Sequence, residues 1–332
     1  MAFFGKKDQL QIINFQSYGT DTHLYVRGRA LEDENIDLEQ KGFFQLLFNS
    51  IKRFETDEVG NAKLRLTLPD GRMYYTHTDS EGYYKFDIQI HGLGKFANSE
   101  GWLAFDISFD DPQLNLKTNN ANRFPGEILL PTAEAEFGVA SDIDDTILHT
   151  GVVSWLKWQV VVNTFFKTAA KRIPLEGAAE FYHLLHRGGS GSNANPIFYV
   201  SHSPWNLYRY LDFFLRKNNF PKGPILLRSM SSFRNRKAEK PQKHHEILNI
   251  LQTYPELKFI LIGDSGEHDA DIYLEIVETH PHRILAIYLR SVRHEKKMLR
   301  IRHLFKDYSR IPVLLVESSE QAIAHAKANR FI

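Results

Sequence analysis

Along the first third of the chain apolar and polar residues alternate with a period of two. Leu64, Leu66 and Leu68 share one face, as do Tyr84, Phe86 and Ile88, and then Leu103, Phe105 and Ile107. That period predicts half-buried strands, and the turn signals "PDGR" at Pro69 and "DSEG" at Asp79 separate them. The exception is "QKGFFQLLFNSIKRF", where Phe43, Phe44, Leu47 and Ile51 recur at helical spacing and predict a helix crossing the strands. Residues 1–130 are therefore expected to form a small all-β sandwich domain. From Asp111 to Pro131 the chain turns polar and irregular, which predicts a connector. Beyond it the pattern changes to wholly apolar runs, "FGVAS", "IFYVS", "ILLR", "FILIGD", "RILAIYL" and "IPVLLV", separated by amphipathic stretches. Runs of that kind predict a doubly wound α/β domain over residues 131–332, a parallel sheet covered on both faces. "HRGGSGSNANP" reads as a flexible loop, and the last helix is expected from about Ser319 to Asn329.

Length and composition change this picture little. A chain of 332 residues exceeds one typical core, which agrees with two domains. Lysine and arginine number 41 against 40 aspartates and glutamates, so any attraction to a polyanion must come from a local patch. Cysteine is absent, which excludes disulfides, thiolate metal sites and cysteine nucleophiles and suits a reducing cytoplasm. The first residues carry lysines and no long apolar stretch, and "GVVSWLKWQVVVNTFF" is interrupted by Lys157, Gln159 and Asn163. Neither a signal peptide nor a spanning helix is expected.

Candidate chemistry changes it more. "FGVASDIDDTILHT" places Asp142, Asp144 and Asp145 directly after a buried run. An exposed acidic turn would account for such a cluster alone, but carboxylates taken out of water destabilise a fold unless a cation sits among them. In open parallel sheets ligands bind outside the carboxyl ends of the strands, and the polar signals fall at those ends. The first run ends in Asp142, Asp144 and Thr146, the second in Ser201, and "FILIGDSGEHD" in Asp264 and Asp269, with Lys243 opening the helical stretch between the last two. Together they suit phosphoryl transfer. Asp142 is the candidate nucleophile and Asp144 the candidate acid and base. Magnesium is expected on Asp142, Asp144 and Asp264, with Asp269 on its waters. Ser201, Thr146 and Lys243 would stabilise charge on the phosphoryl oxygens. Lys237 and Lys240 are alternatives to Lys243.

"DIDDT", "FYVSHSPW", a lysine before "HHEIL" and "FILIGDSGEHD" resemble, in order, the motifs of the haloacid-dehalogenase-like phosphatases. "SDIDDTILHTGV", "SHSPWNLY", "LIGDSGEHDADIY" and "AIYLRSV" resemble more closely the catalytic domain of the actin-patch-type phosphatidate phosphatases. The likeness runs from about residue 135 to the end. It implies magnesium-dependent conversion of phosphatidate to diacylglycerol, with the roles above carried by Asp142, Asp144, Ser201, Lys243 and Asp264. The long proline-rich tail of fungal relatives is not in the sequence, which puts an actin or SH3-domain partnership in doubt but not the chemistry.

Other features fit this reading with varying specificity. "GVVSWLKWQVVVNTFFKTAAKRIP" combines Trp155 and Trp158 with lysines and has no acid, as a segment touching lipid headgroups would, although a core helix with solvated lysines has the same pattern. The basic run "RSVRHEKKMLRIRHLFK" is read as a solvated helix face, from which Arg290 is set apart because it follows a strand closely enough to meet the phosphate. His202, between Ser201 and Ser203, is a second candidate substrate contact. The 15 histidines match no zinc template. The expected protein is cytoplasmic and peripheral at membranes, with no nucleic-acid partner. The alternatives are a phosphatase of soluble or nucleic-acid monoesters and a non-catalytic binding protein that works through its β domain.

Overall fold

A computed structural model describes residues 9–33, 58–111, 120–143, 176–228, 242–265, 269–291, 295–306 and 308–332. It divides into two units, Met1–Leu130 and Pro131–Ile332.

In the first unit the alternation seen in the sequence becomes strands β1 (Gln9–Asn14), β2 (Ser17–Thr20), β3 (His23–Asp33), β4 (Lys63–Thr67), β5 (Met73–His77), β6 (Tyr83–Gln89), β7 (Trp102–Phe109) and β8 (Phe124–Leu129). Turn chemistry sets the hairpins. Asp79 Oδ1 accepts the Glu81 and Tyr83 amides at 2.9 Å, and Gly82, at φ 76°, supplies the left-handed residue that leads into β6. The expected sandwich of two sheets gives way to one connected sheet in the order β1-β3-β2-β8-β7-β4-β5, with β6 on β3. Its neighbours are antiparallel except β2 and β8, which pair in parallel through Ser17 and Ile128. Leu24, Val26, Leu64, Phe86, Leu103, Ile107 and Ile128 fall in a single buried cluster drawn from across this sheet, so the sheet curls over one core. Each such side chain contributes about 1.5–3 kcal/mol by leaving water. The helix expected around Phe43 lies outside the described residues.

The second unit carries β9 (Gly138–Asp142), β10 (Ile197–Pro204), β11 (Ile225–Arg228), β12 (Phe259–Asp264), β13 (Ile284–Arg290) and β14 (Val313–Val316). Among its described residues the helices are α1 (Ala178–Arg187), α2 (Tyr208–Lys217), α3 (Gln242–Thr253), α4 (Asp269–Thr279), α5 (Glu295–Leu304) and α6 (Ser319–Ala328). Every neighbouring strand pair is parallel, in the order β11-β10-β9-β12-β13-β14. All residues of β9 and β12 are buried, as expected for strands covered on both faces. α1 packs with α6, and α3 packs with α4. The chain leaves β9 toward one edge and returns to β12 on its other side. This reversal opens a crevice at the carboxyl ends of β9 and β12, where doubly wound sheets bind ligands. The loop expected to be flexible is tied down at Asn195, which accepts the Glu136 amide and donates to the Leu185 carbonyl, both at 2.9 Å. No helix among the described residues is long and apolar enough to cross a membrane.

Candidate active site

At that crevice the fold buries charge. Asp142 is the last residue of β9 and Asp264 the last of β12, both with 0% exposure. Lys243 comes from the first turn of α3 and is also buried. Its Nζ donates to Asp142 Oδ1 at 2.7 Å and to Asp269 Oδ1 at 2.5 Å. Asp269 opens α4, where the helix dipole favours an acid. Its other oxygen, Oδ2, accepts the Asp264 amide at 3.3 Å. The approach of Asp269 depends on Gly263, because a Cβ there would lie 2.5 Å from Asp269 Oδ2 and 2.8 Å from the Tyr273 ring. A glycine just before the strand-end aspartate therefore makes room for the third carboxylate.

Asp142, Asp264 and Asp269 each offer an oxygen within 4.8 Å of the others, and Lys243 is hydrogen-bonded to two of them, Asp142 and Asp269. Three carboxylate groups gathered this closely form a donor set that a divalent cation would satisfy. The donors are all oxygen, which suits a hard ion such as magnesium rather than zinc. No histidine belongs to this group of described residues. Asp269 uses one oxygen on Lys243 and the other on a backbone amide, so its geometry is that of an anchor for the lysine.

Register places the remaining candidates. Val200 of β10 lies opposite Asp142, so Ser201 stands one residue beyond it, buried, with its Oγ accepting the Ser203 amide at 2.9 Å. His202 is half-buried. Arg290 ends β13 directly opposite Asp264, and its burial lowers its pKa from the usual guanidinium range. Arg290 also lines a cavity of about 40 Å³ with Tyr182, Tyr288 and Ser318. Asp144, Thr146, Trp155, Trp158, Lys237 and Lys240 lie outside the described residues.

One pair was missed in the sequence. Ser141 Oγ donates to the Asp142 carbonyl at 2.8 Å and is itself 2.5 Å from the Tyr182 hydroxyl, which comes from α1. Burial raises the Tyr182 pKa well above the usual phenol range, and the nearby Asp142 charge raises it further. Tyr182 therefore stays a neutral donor, and the chain Tyr182–Ser141–Asp142 carbonyl fixes the backbone that carries the aspartate. Its only sequence signal was a tyrosine on the buried stripe of an amphipathic helix.

Residues 137–291 match the family model described as "Phosphatidate phosphatase APP1, catalytic domain". The chain is 34% identical over 230 residues to the phosphatidate phosphatase APP1 of Saccharomyces cerevisiae, covering 67% of this chain and 35% of the yeast protein. It is also 31% identical over 157 residues to an uncharacterized protein of Schizosaccharomyces pombe, covering 46% of this chain and 25% of the other. The chain thus spans about a third or less of the length of these curated relatives. A solved structure of a carbohydrate esterase, 11% identical and covering 92% of this chain and 99% of its own, overlaps with a TM-score of 0.24, too low to bear on fold or function.

Proposed function

Residues 137–291 belong to the family of the phosphatidate phosphatase APP1 catalytic domain, and from that premise we propose that this chain is a phosphatase converting phosphatidate to diacylglycerol. The observation that supports it most is the buried array of Asp142, Lys243 and Asp269 beside Asp264 at the strand ends. In this reading the parallel sheet is a haloacid-dehalogenase-like catalytic unit.

Asp142 attacks phosphorus, the ester P–O bond breaks, and an aspartyl phosphate forms. Asp144 gives its proton to the departing alkoxide. It then takes a proton from the water that attacks phosphorus and restores the Asp142 carboxylate. Lys243 orients Asp142 through the 2.7 Å bond, and Asp269 holds Lys243 in place. Ser201, Thr146, His202 and Arg290 donate to the phosphoryl oxygens as charge shifts among them. Asp142, Asp144 and Asp264 would hold magnesium, with Asp269 toward its waters, and the ion would supply the positive charge that lets an anionic nucleophile approach an anionic phosphate. In this reading the enzyme works from the cytoplasm as a peripheral protein at the membrane, with Trp155 and Trp158 as candidate lipid contacts.

Phosphate release from phosphatidate in mixed micelles, beside a water-soluble short-chain ester, tests this. The expected result is release that requires magnesium, stops with EDTA and falls by more than about 10³-fold in Asp142→Asn. Release from the soluble ester alone would discard the lipid, and undiminished release by Asp142→Asn would discard the mechanism.

A further inference from the structure

Helix α5 carries a feature that the chemistry above does not use. One side of it is fixed to the strand ends: Met298 Sδ accepts from Ser265 Oγ at 3.2 Å and from Ser291 Oγ at 3.4 Å, next in sequence to Asp264 and Arg290. Ile301 is buried, and Arg300 Nη2 holds Asp271 of α4 at 2.5 Å. The opposite side has Leu299, Arg302 and His303 at positions i, i+3 and i+4, which share one helical stripe, and Lys306 lies in the turn that directly follows the helix. All four are exposed, and Leu299, at 56%, is the single large exposed hydrophobic side chain among the described residues of the second unit. Between Arg290 and Lys306 the sequence has seven lysines and arginines against Glu295 alone.

We propose that the face formed by Leu299, Arg302 and His303 of α5, with Lys306 in the turn that follows it, docks on an anionic lipid bilayer and brings the carboxyl ends of β12 and β13 to the membrane surface. Cations around a central apolar residue are what an interfacial helix needs, since the charges meet headgroup phosphates while the leucine enters the acyl boundary. A nucleic-acid backbone would use the same cations but give Leu299 no apolar partner. The contacts through Met298 and Arg300 hold the stripe rigidly relative to Asp264. The consequence for turnover rests on the lipid-phosphatase reading, but the docking itself does not.

Flotation of the full chain with phosphatidylcholine vesicles, with and without phosphatidylserine, separates the two. Wild type is expected to float only with the anionic vesicles. Arg302→Ala with Lys306→Ala should lower the partition coefficient by about tenfold or more, and Leu299→Asn should lower it severalfold. The thermal midpoint and soluble-ester turnover of these variants should stay at wild-type values, since the altered side chains are exposed and outside the catalytic set. Failure of wild type to float overturns the proposal. So does equal flotation of the variants, which would move the contact to Trp155 and Trp158, and so does stripe-dependent binding of a nucleic-acid duplex without vesicle binding. Stripe-dependent flotation with no release from phosphatidate would leave the docking standing and remove the substrate.

Discussion

The two sheets treat charge in opposite ways. In the first, most charged pairs sit on the solvent side of alternating strands, as in Lys85 with Asp87 at 3.2 Å and Arg123 with Asp106 at 2.8 Å, and the buried Arg29 reaches an exposed partner, Glu58, at 3.1 Å. Such pairs contribute little, about 0–1 kcal/mol at most exposed sites. In the second, the strands are apolar along their length and the charges are gathered, fully buried, at the carboxyl ends of β9 and β12. Taking ions out of water costs more than a well-packed apolar residue would, while removing one partner of a buried pair costs about 3–5 kcal/mol. Stability alone therefore gives no reason for Asp142, Lys243 and Asp269 to be where they are. The difference teaches that charge on the first sheet mostly serves solubility and pairing, while the buried charge on the second needs a reason other than stability, which the proposed chemistry supplies.

The sharpest way to break this contrast is Lys243→Met. It leaves Asp142 and Asp269 facing each other, so stability should fall by about 3–5 kcal/mol in a denaturant titration, and phosphate release by about 10³-fold. Adding Asp142→Asn and Asp269→Asn should restore most of the stability and none of the activity. Lys85→Ala on the first sheet should change neither quantity, and a loss there comparable to that of Lys243→Met would erase the distinction.

Gly263→Ala comes next. The added Cβ meets Asp269 Oδ2, and the displacement should cost about 1–3 kcal/mol, with a larger proportional loss of turnover as Lys243 loses its anchor. Unchanged turnover would mean that Asp269 does not position the lysine. Tyr182→Phe is milder. Loss of one buried hydrogen bond should cost about 1 kcal/mol, and kcat should fall while KM holds, because the bond positions the Asp142 backbone and touches no substrate. A rise in KM alone would contradict that role.

The smallest effect concerns pH. His325 on α6 bonds the Tyr288 hydroxyl at 2.9 Å, and burial lowers its pKa below the ordinary 6.5. The unfolded chain then takes up the proton first as pH falls. The contribution of His325 is complete above 6.5 and is lost as pH falls through the lower folded value. His325→Gln should flatten the stability profile in that acid window, and an unaltered profile would assign the dependence to another group.

Much of this was legible before any coordinates. Period-two alternation located the strands around Leu64, Phe86 and Phe105, and wholly apolar runs located β9, β10, β12 and β13, because burial on one face or both leaves a different pattern. Strand ends then indicated Asp142, Ser201 and Asp264. Pairing was not legible: alternation says which face is buried but not which strand is the neighbour, so the parallel β2–β8 contact and the single curled sheet were missed. The lysine was legible only in part: Lys243 was named with Lys237 and Lys240 as alternatives, and it is the start of α3 that puts Lys243 against Asp142. The Tyr182–Ser141 bond was hidden for a related reason. It depends on the rotation of α1 over the sheet, while in sequence Tyr182 differs from a core aromatic by one oxygen.

The most direct test of the central claim, that buried Asp142 is the nucleophile of a phosphatase, is to trap the acyl phosphate. A short reaction with magnesium and phosphatidate, quenched and reduced with borohydride, would be followed by peptide mapping. The account predicts reduction at Asp142 alone, lost when Asp142→Asn is used. Phosphate released at the wild-type rate with Asp142 unmodified would contradict it.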